Sequence, residues 1–308
     1  MKLDDAKEIS LEDRSLFNEF FKNYHPQISE FTFSNLFIWK DFYEFKFKIW
    51  ENHILIFSKT YLNKWKSSIS GNKNVIFFLP PIGNKPEDII TELFSNLEYI
   101  EIHRVPESII TYFKKENQKN QIAIEVKTDR NNWDYVYERD SLVSLPGNAY
   151  RQKRRNLTKF ISMFDYKFHF IQTECLELCK ELQIEWCDMN ECQSNEDLKQ
   201  EQNAIFNAFN YYEELSLNGG LIMVDGKCIA YTIGEKLNKD TMVIHFEKAH
   251  VDYEGSYQAI NNLFAKECCK DAKFVNREQD LGISGIRYAK ESYKPHHMIK
   301  KYILFRND

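Results

Sequence analysis

Twice along the chain, two short apolar runs joined by a tight turn are followed by further apolar runs alternating with helix-patterned segments, and this repeated order limits the folds open to it more than any other feature. In the first half, residues 45–50 and 53–57 alternate apolar with polar side chains around Glu51-Asn52, a spacing that predicts a hairpin. Residues 74–79 read as a buried strand, and Pro80-Pro81 breaks it. A helix follows from Lys85, with Pro86 in its first turn and Glu87 and Asp88 close behind. Residues 99–103 read as a strand, 106–115 as a helix and 122–127 as a strand, leading to the aromatic run 133–137. Ahead of all these, 10–22 reads as an amphipathic helix behind a Ser-x-x-Asp start, and 31–43 fits helix or strand.

The second half opens with helices over 147–163, 173–190 and 195–217. A hairpin over 221–233 then turns at Asp225-Gly226, a pair suited to a type I′ turn. Strand 241–249, helix 256–270, strand 274–275, helix 283–292 and a last strand 299–305 complete it. The halves share element order without visible identity. The expectation is therefore α+β, two domains over 1–140 and 141–308, each a mixed, mostly antiparallel sheet flanked by helices.

With 308 residues the chain can bury a core without disulfides, and its seven scattered cysteines show no metal-knuckle spacing, so reduced thiols and no metal are expected. The start, Met1-Lys-Leu-Asp-Asp-Ala-Lys-Glu, is acidic where a signal peptide needs a basic and then an apolar stretch, and no apolar run reaches the ~20 residues that span a bilayer. A cytoplasmic protein is expected, with peripheral membrane contact left open. A net charge of −5 argues against a broad basic surface and confines any RNA contact to a local patch.

Four segments carry candidate chemistry. Along 241–249 a two-residue period places His245 and Glu247 on one face, opposite Met242, Ile244 and Phe246; Glu247 reads as a proton acceptor or as half of a buried ion pair. At 252–258, Gly255, Ser256 and Tyr257 open a helix, where they would meet an anion or simply cap. Residues 276–295 crowd Asn276, Asp280, Arg287, Tyr288, Lys290 and Tyr293 into a strand-to-helix turn and the helix after it, as a ligand site or a bracing network. Lys153, Arg154 and Arg155 belong to a basic run that is either a solvated face or a phosphate contact.

Segments 142–160, 245–249 and 276–282, then Gly285, Arg287, Lys290, Ser292, Tyr293 and Pro295, together with 31–39, resemble the soluble proteins grouped with the phosphatidylglycerol lysyltransferase C-terminal domain. The resemblance implies two tandem GNAT-like domains, of the acyl-CoA N-acyltransferase fold, as in the Fem-type aminoacyltransferases. Membrane-bound members of that group transfer an amino acid from aminoacyl-tRNA to phosphatidylglycerol. The activity implied here is acyl or aminoacyl transfer to an amine or hydroxyl, from aminoacyl-tRNA or acyl-CoA as donor substrate, with no permanently bound cofactor. Lys153, Arg154 and Arg155 would hold donor phosphates, Glu247 would relay the acceptor proton, and Asn276, Asp280 and Arg287 would orient substrate or stabilise the oxyanion. Tyr288 would protonate the leaving group, with His245, Gly255, Ser256, Tyr257, Lys290 and Tyr293 contacting substrate. The GNAT glycine pair is missing at 252–258, which favours the alternative of a non-catalytic ligand-binding protein that keeps the cleft.

Overall fold

The structure, a computed structural model, describes residues 2–116 and 124–306. The chain forms two compact units: one runs to Asp134 and resumes at Ile299, the other is Tyr135–Met298.

Strands β1 (Lys7–Glu8), β2 (Lys46–Trp50), β3 (His53–Ser58), β4 (Ile76–Phe78), β5 (Ile100–Pro106) and β6 (Glu125–Thr128) build the first sheet, of which the predicted positions 122 and 123 lie outside the described residues. The predicted hairpin is β2–β3, pairing Trp50 with His53 across Glu51 and Asn52, both at positive φ. Segment 31–43 resolves into the helices Phe33–Ile38 and Lys40–Tyr43. Asp13 completes the capping box at Ser10 ahead of helix Arg14–Tyr24. Helices Pro86–Asn96 and Glu107–Glu116 turn Ile89, Ile90, Leu93, Phe94, Ile110 and Phe113 onto Leu55, Phe57, Phe78 and Ile102 of the sheet.

The second sheet holds β7 (Asp134–Glu138), β8 (Tyr166–Phe170), β9 (Asn218–Val224), β10 (Lys227–Lys236), β11 (Thr241–Ala249), β12 (Phe274–Asn276) and β13 (His297–Ile299), in the order β13-β7-β12-β11-β10-β9-β8. Asp225 and Gly226 make the predicted turn, both with positive φ. Helix Ser256–Glu267 packs Ala259 and Ile260 with Ile222, Ala230 and Ala249, and Phe160 of helix Arg151–Met163 joins them. Helices Leu176–Met189 and Glu196–Asn210 meet Tyr231 of β10: its hydroxyl donates to Gln183 Oε1 at 2.6 Å and its ring lies 5.3 Å from Phe209. Edge strand β8, absent from the sequence reading, pairs only with β9. Both sheets are mixed, β4 pairing β5 and β11 pairing β12 in parallel beside antiparallel neighbours, so the α+β expectation is met.

Two expectations are corrected. The last strand, β14 (Lys301–Phe305), joins the first unit, between β5 and β6. Leu304 and Tyr302 complete that unit's core, and the Lys301 ammonium, fully buried, finds Asp134 and Glu30 there, each at 2.6 Å. The cysteines are not all reduced: Cys187 and Cys192 form a disulfide, because the chain turns at Glu191 after helix Leu176–Met189 and brings their Cα atoms to 5.0 Å.

Lys301→Ala removes a fully buried cation from beside the buried Asp134 and the half-buried Glu30, of which Glu30 keeps Arg104 at 3.2 Å. It is expected to cost the first unit about 3–5 kcal/mol, measured by urea denaturation. A loss below about 1 kcal/mol would mean that water already serves those carboxylates.

Candidate active site

In the second unit the parallel ladder of β11 and β12 is short. β11 and β12 pair over Thr241–Val243 and Phe274–Asn276, after which β11 runs on to Ala249 while the other chain turns away at Arg277. On its other edge, β11 pairs Phe246 with Ile233 and Ile244 with Gly234, so His245 is an extra residue, a β-bulge. The bulge needs the glycine: a Cβ on Gly234 would meet the Val243 carbonyl oxygen at 2.2 Å.

The bulge resets the alternation. Met242 and Ile244 cluster with Phe264 of helix Ser256–Glu267, and so does Ala249 with Ala259 and Ile260, which an unbroken two-residue period forbids. His245 and Glu247, expected on one face, therefore serve different groups of partners.

Glu247 turns toward helix Ser256–Glu267. Its Oε2 accepts from Asn261 Nδ2 at 3.1 Å and its Oε1 from Arg277 Nη2 at 2.8 Å. The Arg277 guanidinium lies 4.9 Å from the Tyr293 ring and 5.7 Å from that of Tyr137. Burial works against its charge, but Glu247 holds it above its ordinary pKa. Lys153 Nζ stands 4.2 Å from the Tyr293 ring. Burial, then the neighbouring Arg277, push its ammonium down to about 8, with Glu247 acting the other way. Three buried polar atoms in this neighbourhood have no partner among the described residues: Arg277 Nη1, Asn261 Oδ1 and Oγ1 of Thr232, the cross-strand neighbour of Glu247.

His245 lies between Glu235 Oε1, 2.9 Å from Nε2, and Glu278 Oε1, 2.8 Å from Nδ1. Burial opposes its charge, yet the two carboxylates raise it to about 9, so the ring is an imidazolium that donates to both. Asn276, buried at the end of β12, accepts from the Glu278 amide at 2.8 Å. Asp280 is buried and accepts from Tyr135 Oη at 2.6 Å, the Gly282 amide at 2.8 Å, and Nε and Nη2 of Arg287 at 2.9 Å each. Burial raises its carboxyl, but these donors more than reverse that and hold it well below the usual carboxylate range. Lys290 Nζ donates to the carbonyls of Arg277, at 2.6 Å, and Gln279. Asn276, Asp280, Arg287 and Lys290 thus brace the turn that presents Arg277 and Glu278.

The remaining candidates are placed apart from Glu247 or are spent on structure. Tyr288 is 77% exposed on helix Ser284–Ser292. Gly255 has φ 90° and lies under helix Arg151–Met163, whose Asn156 carbonyl oxygen would be 2.4 Å from an added Cβ. Ser256 Oγ donates to the His250 carbonyl at 3.0 Å, and Tyr257 Oη accepts from Trp186 Nε1 at 3.0 Å. Arg154 donates to the carbonyls of Leu145 and Gly147, and Arg155 is exposed. Sequence reasoning passed over Arg277, Asn261, Thr232, Glu235 and Glu278. The available signals were Arg277 directly after a short strand and an Asn261-Asn262 pair inside an otherwise apolar helix. A cavity of about 790 Å³ opens in the first unit beside Tyr24, Lys85 and Tyr112, and none of the candidate residues lines it.

Residues 21–305 match the family model described as phosphatidylglycerol lysyltransferase, C-terminal. The chain belongs to that family. A solved Bacteroides thetaiotaomicron protein of unknown function is 28% identical to it and superposes with a TM-score of 0.85 over 97% of this chain and 98% of that one. L-PGS from Bacillus licheniformis superposes at 0.65 with 12% identity, covering 96% and 92%, and FemX at 0.59 with 8% identity, covering 97% and 96%; both show shared fold. An uncharacterised Mycoplasmoides gallisepticum protein is 24% identical over 244 residues, 75% of each chain. Among the described residues no helix of this family member is long and apolar enough to cross a membrane.

Because its folded pKa is depressed, Asp280 contributes stability that is present above its unfolded value of about 3.9 and is lost as pH falls through the folded one. Asp280→Asn is expected to be less stable than the unaltered protein at neutral pH and to lose stability less steeply below about pH 4. Urea midpoints over a pH series test this, and parallel curves for the two proteins would rule it out.

Proposed function

We propose that the second unit transfers an aminoacyl group from a phosphate-bearing donor to an amine or hydroxyl acceptor. The observation that carries this reading is the set of unpartnered buried atoms near Glu247: a donor on Arg277, an acceptor on Asn261 and a hydroxyl on Thr232. A buried polar atom without a partner is costly, so a bound group that meets the Arg277 donor and the Asn261 acceptor is favoured. An aminoacyl ester supplies a carbonyl oxygen for Arg277 Nη1 and an α-ammonium for Asn261 Oδ1. A plain acyl group supplies only the first.

Arg277 would then stabilise the negative charge that develops on the carbonyl oxygen as the acceptor attacks. Both Glu247 oxygens are already engaged, which suits Glu247 to fixing the guanidinium rather than to relaying a proton. Arg155, exposed on its helix, is left to meet donor phosphate, since Lys153 points to Tyr293 and Arg154 to backbone carbonyls. Helix Arg151–Met163 covers Gly255 where acyl-CoA would need an open helix start, and this supports aminoacyl-tRNA over acyl-CoA as donor. The family name, a lysyltransferase, points the same way. The acceptor is an amine or a hydroxyl. The covered Gly255 and the hydrogen-bonded Ser256 also favour the second reading, a ligand-binding protein that keeps the fold without the chemistry.

Charged tRNAs and acyl-CoAs offered with amine and hydroxyl acceptors, with transfer followed by mass spectrometry, separate these readings. Arg277→Lys and Glu247→Gln should each fold and lower turnover by roughly 100-fold or more. Unchanged turnover in a folded Arg277→Lys protein would sink the oxyanion role and favour the binding reading.

A further inference from the structure

We propose that Lys153 is the group that takes the proton from the attacking acceptor and hands it to the leaving group, an inference that rests on the transfer reading above. As the acceptor nitrogen or oxygen bonds to the donor carbonyl carbon, its proton moves to the neutral Lys153 amine. When the donor's ester C–O bond breaks, the ammonium so formed returns that proton to the departing oxygen, and the lysine ends as it began.

Three features place Lys153 in this role. Its Nζ projects inward to the Tyr293 ring, while Arg154 beside it turns to the carbonyls of Leu145 and Gly147 and Arg155 is exposed. It has no carboxylate within ion-pair range among the described residues. It shares the Tyr293 ring with the guanidinium assigned to the oxyanion, so a proton acceptor and a carbonyl-polarising group stand together.

The charged and titratable groups around it are Glu247 from β11, Arg277 from the end of β12, Tyr293 from the end of helix Ser284–Ser292, Tyr137 from β7, and Arg154 and Arg155 on its own helix. Glu247 is the one charge that favours the ammonium, beside the cation–π attraction of the Tyr293 ring, and Glu247 is bound to Arg277. The balance, with burial the largest influence, holds the ammonium down to about 8. A lysine so tuned exchanges a proton near neutral pH, where one in water would stay charged.

The test begins without any donor. Trace labelling with acetic anhydride across a pH series, read by peptide mass spectrometry, reports the midpoint of each lysine. Lys153 is expected at about 8, with exposed lysines near the usual value of about 10.4. Glu247→Gln, which removes the one charge favouring the ammonium, should move it lower still. Lys153→Arg keeps the cation and cannot give up its proton, so it should fold and lose roughly 100-fold or more in transfer at every pH, whereas Lys153→Ala should regain part of it with added ethylamine. An ordinary midpoint overturns the proposal, and so does Lys153→Arg transferring like the unaltered protein. Absence of transfer by the unaltered protein removes the transfer reading itself, which the labelling tells apart from a failure of Lys153.

Discussion

The ion pair between Glu247 and Arg277 is the interaction on which the second unit's site depends. Both groups are largely removed from water, and a buried charge is tolerated only with a partner at close range. The protein meets this by opening a gap: β11 and β12 stop pairing after Val243 and Asn276, and the two charges fill the space where further ladder would have been. What surrounds them keeps the pair in place. Tyr137 and Tyr293 flank the guanidinium, Lys290 fixes the carbonyls of Arg277 and Gln279, and Asp280 ties the following turn to Tyr135 and Arg287.

Two buried histidines show how burial and neighbouring charges together decide a protonation state. In the first unit His103 shares a hydrogen bond with Glu101 at 2.8 Å, but burial, helped by the neighbouring Arg104, outweighs Glu101 and Asp129, so its pKa is lowered. In the second unit His245 has a carboxylate on each ring nitrogen, and the pair outweighs the same burial. Each residue belongs to a strand next to its unit's parallel step or within it, β5 beside β4 and β11 beside β12. Similar geometry thus carries different electrostatics, and among the described residues it is the second unit that sets an arginine with unpartnered hydrogen-bonding capacity beside a lysine of lowered pKa.

The fold was legible because its signals are local. Glu51-Asn52 and Asp225-Gly226 accept the positive φ of tight turns, Pro86 and its acids start a helix, and the apolar periods mark the faces that must be buried. β8 escaped although Tyr166–Phe170 alternates aromatic with polar residues, because it is short, half-exposed at the sheet edge and without a tight turn to a neighbouring strand in sequence. The candidate site was legible in part. Glu247 stood out by the two-residue period of its strand, and Asn276, Asp280, Arg287 and Lys290 by their density, but nothing local told a residue that touches Glu247 from one that braces a turn.

The sequence by itself determined the two successive α+β halves, the turns that start their hairpins and the polar richness of 276–295, since each depends on neighbours within a few residues. Only the tertiary structure decided three further matters. β14 went to the first unit because Lys301 needs the carboxylates of Glu30 and Asp134 and β6 needs an edge to pair with. His245 and Glu247 parted because the ladder skips one residue where Gly234 lets the Val243 carbonyl come close, which no count along β11 alone reveals. Arg277, Asn261, Thr232 and Lys153 came to one neighbourhood from a strand end, two helices and a facing strand, because side chains distant in sequence meet only when the sheet and its helices pack.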